Sequence, residues 1–300
     1  MTPLAIFLVT TSALIHALWN LLGKRQNPSA AFFLIASFFA TLVVLPILYL
    51  YRSSLSLLPH SLWGLLAFTG VFQTIYYLGL TGAYRHGDIS TAYPLLRAVP
   101  VILVTLLSIQ WNIGKPLNPL GVAGIVLIVL GCLILPLPSL RGVQLKAYLN
   151  PCCLLALLAA LGTTGYTMID NQALAIMSGL PQFPTGNATL LFVALQTAVT
   201  TLILAFYTII IPSERAQVKG TWNNGWSKAA LAGFLITGTY GLVLLAMNYA
   251  NNVSYIAAFR QLSIPLAAML GFIVQKEPAT QPKLVGIALV FSGLIIIGVA

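Results

Sequence analysis

Acidic side chains are nearly missing from this chain: four Asp and Glu in 300 residues, against 14 Lys and Arg and three His. Charged residues make up only 6% of the sequence, where a soluble domain carries roughly 25%. So few charges cannot coat a water-soluble particle of this length, which excludes a cytosolic enzyme and a secreted scaffold. The three cysteines, Cys132, Cys152 and Cys153, have no metal-ligand partners at useful spacing and read as small buried apolar side chains. No HExxH, CxxC, P-loop or GxSxG pattern occurs, so the means for hydrolysis or phosphoryl transfer are scarce, and no metal or cofactor is expected. The formal charge of +10 comes without a basic cluster longer than Lys24 and Arg25, which argues against a nucleic-acid partner.

What is present is apolar: 59% of residues are hydrophobic and the mean hydropathy is +0.96. The partner that such a surface requires is a lipid bilayer. A spanning helix needs about 20 mostly apolar residues, and the chain offers ten such runs, at 2–22, 30–50, 62–84, 89–110, 118–137, 151–177, 187–211, 228–249, 253–275 and 282–299. The first has no basic residues before it and reads as a retained span rather than a cleaved signal. Helix breakers fall between the runs, among them Pro59, Asn150 before Pro151, and Pro212. The longest polar connection, Pro212 to Lys228, is too short for a soluble domain, so function has to lie between the helices. The fold class is an all-α integral membrane protein of the cell-membrane, multi-pass type, as in a bacterial inner membrane.

The chain also repeats itself. At an offset of 165 residues, Tyr84 falls on Tyr249, Ala92 on Ala257, Pro100 on Pro265, Gln110 on Gln275, Gly121 on Gly286 and Ala123 on Ala288. The halves are 1–147 and 148–300, with five spans each. An odd number of spans starts the second half on the opposite side of the membrane, which makes the repeat inverted. Many secondary transporters build alternating gates around a midplane site in this way.

Several motifs sharpen the assignment. They are His16, Ala17, Leu18, Trp19 and Asn20 with Lys24; Tyr84 to Asp88 leading to Tyr93, Pro94, Leu95, Leu96 and Arg97; and Gln275 to Pro278 followed by Leu284 to Ala288. In these the chain resembles the ten-helix EamA-type transporters of the drug/metabolite transporter superfamily, over essentially its whole length. The resemblance implies a secondary transporter without intrinsic ATPase activity. One departure stands out: relatives often carry a glutamate at the end of the fourth helix, where this chain has Asn112, and only the second half keeps it, as Glu277.

Ionisable groups at membrane depth are costly and commonly functional. Arg97 lies about eight residues into its span and Arg260 about seven, so each is ~10–12 Å deep at 1.5 Å per residue. Their helices enter from opposite faces of a ~30 Å core. Both guanidinium groups therefore belong near the midplane, where they suit a carboxylate or phosphate. Thr163, Tyr166, Thr167 and Asp170 share one face of the sixth helix, and His16, Trp19 and Asn20 one face of the first. Tyr77, Tyr93, Tyr240 and Asn248 extend the pattern, so the expected lining comes from helices one, three, four, six, eight and nine. The expected substrate is a small anionic or zwitterionic metabolite such as an amino or organic acid, exported or exchanged, with His16 and Asp170 as coupling candidates. The alternatives are a channel or lipid flippase, and behind them an intramembrane enzyme. Glycines in the fifth and tenth helices (Gly121, Gly124 and Gly131; Gly286 and Gly293) suit close packing on each other or across a homodimer. Pro94, Pro100 and Pro265 are expected kinks. Ten Lys and Arg fall on odd-numbered connections and two on even-numbered ones, which places the odd connections in the cytoplasm and both termini outside.

Overall fold

The computed structural model describes residues 1–23, 29–86, 89–135, 137, 139, 150–274 and 279–299, without the side chains of 17–23, 84, 89–94, 267, 270, 271 and 274. Among the described residues there is no strand. The helices are α1 (Pro3–Gly23), α2 (Ala30–Leu50), α3 (His60–His86), α4 (Ile89–Gln110), α5 (Pro119–Ile134), α6 (Pro151–Ser178), α7 (Thr185–Ile210), α8 (Pro212–Met247), α9 (Val253–Phe259), α10 (Ser263–Val274) and α11 (Gln281–Val299). Six are long and apolar enough to cross a membrane: α2, α3, α6, α7, α8 and α11. Three shorter apolar segments, Pro3–His16, Leu95–Gln110 and Pro119–Ile134, and the α9–α10 pair complete the ten crossings.

The Asn-Pro pairs of the sequence become helix starts. Asn118 and Asn150 accept hydrogen bonds from Leu120 N and Cys153 N, each with proline at the next position. There the missing N–H costs nothing, because the first turn has no intrahelical partner for it. The outer surface is apolar, with Leu50, Leu202, Phe206 and Leu154 all exposed, as a lipid-facing surface requires. All three cysteines are buried, and Cys152 Sγ donates to Ala83 O at 3.2 Å.

Two elements differ from expectation. The ninth span, expected as one helix over 253–275, is interrupted by a 3-10 turn at Arg260–Leu262. Pro265 accounts for this, because it has no N–H for the carbonyl of Gln261 and its ring crowds that carbonyl. Its repeat mate Pro100 sits inside an unbroken α4. The eighth helix begins at Pro212 rather than 228, so the polar stretch counted as a connection is helical. Glu214 anchors it: the buried carboxylate accepts from Arg85 Nη1 at 2.8 Å and from the Ala31 N–H, at the start of α2, at 3.4 Å.

The contacts sort the connections into two faces. At one face, Thr2 Oγ1 donates to Tyr249 O, Lys115 N to Asn251 O, and Asn252 Nδ2 to Ile113 O and Lys115 O. The chain start, the α4–α5 connection and the α8–α9 connection therefore lie together. Arg85, Glu214 and Ala31 mark the opposite face. Packing follows the repeat: α3 packs on α6 as α1 does on α8, α2 on α8 as α7 on α3, and α4 on α6 as α10 on α1. The pairs α2–α7 and α5–α11 map onto themselves. This is the exchange that two inverted five-helix halves require.

The glycine-bearing faces of α5 and α11 meet each other inside the chain. A Cβ at Gly124 would lie 2.8 Å from Gly293 O, and one at Gly293 2.5 Å from Gly124 O. Only glycine permits that approach.

Candidate functional site

Two partly open cavities lie where the halves meet. The larger, about 100 Å³, is bordered by α1, α2, α3, α4, α6, α7 and α8 and by the turn that carries Arg260. The smaller, about 40 Å³, lies against α4, α6 and that same turn. Five residues border both: His16, Tyr76, Arg97, Tyr166 and Arg260. The arginines thus stand in the partition between two spaces.

Each arginine is held by neutral groups. Arg97 Nη2 donates to His16 Nε2 at 3.2 Å. Arg260 Nη2 is 3.4 Å from the Tyr166 hydroxyl, and its guanidinium carbon lies 5.4 Å from the centre of the Tyr240 ring. That ring meets Tyr166 edge-on at 5.3 Å, and Tyr166 meets Tyr76 edge-on at 6.0 Å. Tyr77 stacks on Phe33 at 4.4 Å in the wall of the larger cavity. Tyr166 and Tyr240 thereby hold the Arg260 guanidinium while the ring edges form an apolar wall.

Asp170 is completely buried. Thr69 Oγ1 donates to its Oδ1 at 2.5 Å, and Gln196 Nε2 and Tyr240 Oη donate to its Oδ2 at 2.8 and 2.5 Å. These three partners come from α3, α7 and α8, so one carboxylate on α6 ties four helices. All three are neutral, and a buried charge of this kind depends on hydrogen bonds to replace its hydration. Tyr240 links the network to Arg260, because its hydroxyl bonds Asp170 while its ring faces the guanidinium.

Of the residues singled out from the sequence, Arg97, Arg260, Tyr77, Tyr166, Tyr240 and His16 border the larger cavity. Asp170 sits behind it, through Tyr240 and Gln196. Asn248 is elsewhere: at the chain-start face it accepts from Ser178 and donates to Thr189, tying α8 to α6 and α7. The side chains of Trp19, Asn20 and Tyr93 lie outside the described residues, as does Glu277. Two helices omitted from the expected lining contribute to it: α2 through Phe33 and Ser37, and α7 through Gln196, Thr197 and Thr200. Thr197, Thr200 and Gln196 sit among Leu and Val in a helix that reads as apolar. The signal that could have found them is a buried Gln in the middle of a span, which needs a polar partner.

The model of the EamA-like transporter family matches residues 3–136, the first five-helix half. A search of curated proteins finds no match. Among solved structures 29 chains match; one, described as the crystal structure of a protein, covers 98% of both chains at a TM-score of 0.69 and 15% identity. At that identity the likeness speaks for the fold alone, but it extends through the second half that the family match leaves uncovered. Over residues 3–136 the chain is similar to the EamA-like transporter family, and over its whole length it shares the fold of a solved structure.

Proposed function

We propose that this protein is a secondary carrier, an exporter or exchanger, of a small anionic or zwitterionic metabolite such as an amino or organic acid, moved by alternating access about the central cavities. The observation that carries the proposal is the meeting of Arg97 and Arg260 at the border of the same two cavities, although their helices enter from opposite faces. Two guanidinium groups offer paired, planar donors that match a carboxylate, and among the described residues no carboxylate side chain borders either cavity to compete for them. The space suits a small solute: one water needs ~10–15 Å³ of such volume, so the larger cavity of about 100 Å³ takes several waters or one compact metabolite.

The halves 1–147 and 148–300 are the bodies that rock about this site. Asp170 and His16 are the coupling groups, since Tyr240 connects Asp170 to Arg260 and His16 accepts directly from Arg97. Gain or loss of a proton at either position is felt by a substrate-facing guanidinium within one contact. The protein resides in a cell membrane of the bacterial inner type. Homodimerisation, where it occurs, uses the outer faces of α5 and α11, where Leu120, Val126 and Leu284 are exposed.

The test is counterflow in liposomes containing the purified protein. A labelled carboxylate should accumulate transiently against an excess of the same unlabelled compound inside, which marks a carrier; flux that stays linear in concentration would mark a channel. Arg97→Gln and Arg260→Gln should each abolish carboxylate counterflow while elution and melting stay those of a folded protein. Unchanged counterflow in both variants would overturn the proposal.

A further inference from the structure

The smaller cavity holds two buried polar atoms that the substrate proposal does not use. Gln261 is 6% exposed, and its Nε2 donates to Ala257 O at 3.0 Å. That bond fixes the amide orientation, because only the NH₂ group can pair with a carbonyl. The Oε1 atom has no hydrogen-bond partner. Thr167, 1% exposed on α6, likewise has an Oγ1 without a partner. Both residues border the 40 Å³ space, together with Arg97 and Arg260. Unsatisfied buried polar atoms are rare in folded proteins and call for an explanation.

The space has room for about three waters. An occupant that displaces them must return their hydrogen bonds or lose affinity. The arginines can only donate and therefore need acceptors, whereas Gln261 Oε1 can only accept and therefore needs a donor. A plain carboxylate satisfies the first demand and leaves the second unmet. The donor must stand beside the oxyanion, because Arg97, Arg260 and Gln261 all border the same space of about 40 Å³. Charge then selects the donor. Two guanidinium groups already border the cavity, and among the described residues no carboxylate does. An ammonium would add a third positive charge there, whereas a hydroxyl adds none and can also satisfy Thr167 Oγ1.

We propose that the smaller cavity is a head-group subsite for 2-hydroxycarboxylates, in which Arg97 and Arg260 hold the carboxylate while Gln261 Oε1 and Thr167 Oγ1 hold the adjacent hydroxyl. The larger cavity, walled by Phe33, Tyr76 and Tyr77, takes the rest of the molecule. This inference rests on the carboxylate proposal above and narrows it.

Binding to the purified protein in detergent, read as the concentration dependence of melting, tests it with three matched triplets. Each pairs a carboxylate with its 2-hydroxy and 2-amino counterparts: propanoate, lactate and alanine; 4-methylpentanoate, 2-hydroxy-4-methylpentanoate and leucine; 3-phenylpropanoate, 3-phenyllactate and phenylalanine. Within the triplets that bind, the hydroxy member should bind about tenfold more tightly than the plain acid, the size expected for satisfying a buried acceptor, and more tightly than the amino member. Thr167→Val, which keeps the side-chain shape but removes one of the hydroxyl's two partners, should lower the hydroxy-to-plain ratio without weakening the plain acid. Gln261→Glu, which keeps the acceptor and adds negative charge, should shift preference to the amino member. Equal affinity of hydroxy and plain acids, tightest binding of the amino acid by the unmodified protein, or a ratio that survives Thr167→Val would overturn the subsite and leave the carboxylate proposal standing. If no member of any triplet binds, the carboxylate proposal falls, and the subsite with it.

Discussion

Replacing Gly162 with alanine tests the central seam of the structure, the contact of α3 with α6. A Cβ at Gly162 would lie 2.6 Å from Tyr76 N and 2.8 Å from Phe72 O, both backbone atoms that cannot rotate away. The reciprocal position, Gly79, is as tight, with Ala159 N at 2.6 Å. To regain ordinary contact at 3.4 Å the helices must separate by ~0.8 Å. Two turns farther along the same seam, Thr69 bonds Asp170 at 2.5 Å. A rigid separation of that size would stretch the bond to ~3.3 Å, beyond the range of an O–H···O bond. Overpacking of this kind costs about 1–3 kcal/mol. Alanine also gains up to about 1 kcal/mol over glycine within any helix, so Gly162→Ala needs a reference in which only that gain operates. Gly64, exposed on the facing helix α3, supplies it, since a Cβ there meets nothing within 4 Å. Gly64→Ala should melt at or slightly above the unmodified protein. Gly162→Ala should lie about 1–3 kcal/mol below Gly64→Ala, a gap of several degrees at ~2–4 °C per kcal/mol. Thermal unfolding in detergent, followed by intrinsic fluorescence, reads both. Equal melting of the two variants would refute the close approach of α3 and α6.

Asp170→Ala should be the more damaging of two substitutions at that position, because it strands the donors of Thr69, Gln196 and Tyr240 at about 1–3 kcal/mol each. Asp170→Asn keeps the shape; it should fold and retain counterflow but lose accumulation driven by a proton gradient, and persistence of that accumulation would remove Asp170 from the coupling role. Orientation is checked in intact cells with an impermeant maleimide: Ser56→Cys, on the even-numbered α2–α3 connection, should label at once, and Lys219→Cys only after permeabilisation. The expectation follows from ten cationic residues against two and a cost of ~2.3 kcal/mol per charge moved against 100 mV; the reverse labelling would mean that the charge count misleads.

The helices were legible because each depends on local chemistry. Apolar length marks a span, and Asn118 and Asn150, each followed by proline, mark starts that the structure uses as caps. The arginines were legible for a related reason: a guanidinium at membrane depth has few tolerable surroundings, so its depth alone directs it toward a cavity. Thr69 and Gln196 were not legible as partners of Asp170, because their role depends on three helices meeting, and no spacing in the chain encodes that. The helical state of 212–228 was hidden by its polarity. It is held by Glu214, whose partner Arg85 is 129 residues away. The break at Arg260 was half visible: Pro265 announced a kink, but the same proline at the matching position, Pro100, leaves α4 unbroken. Packing around the two prolines decides between bend and break, and that is a tertiary property.

The repeat builds the frame twice and the chemistry once. At the offset that superimposes Pro100 on Pro265, Arg97 falls on Leu262 and Arg260 on Leu95, so neither arginine has a charged counterpart in the other half. A cavity with exact two-fold symmetry would present two equivalent arginines and bind a ligand in two orientations. Here one guanidinium leans on a histidine of α1 and the other on tyrosines of α6 and α8. The surroundings differ in polarity and in their route to Asp170, which reaches Arg260 through Tyr240. Gln261 adds an acceptor and Thr167 a hydroxyl beside the arginines in the smaller cavity, on the side away from α7 and α8. The proposed anionic occupant would therefore have one preferred orientation, with its anionic end in the partition and its body toward Tyr77. On the proposed reading, two near-equivalent halves would open to either face in turn, while the asymmetric pair between them would hold a single solute in a single pose.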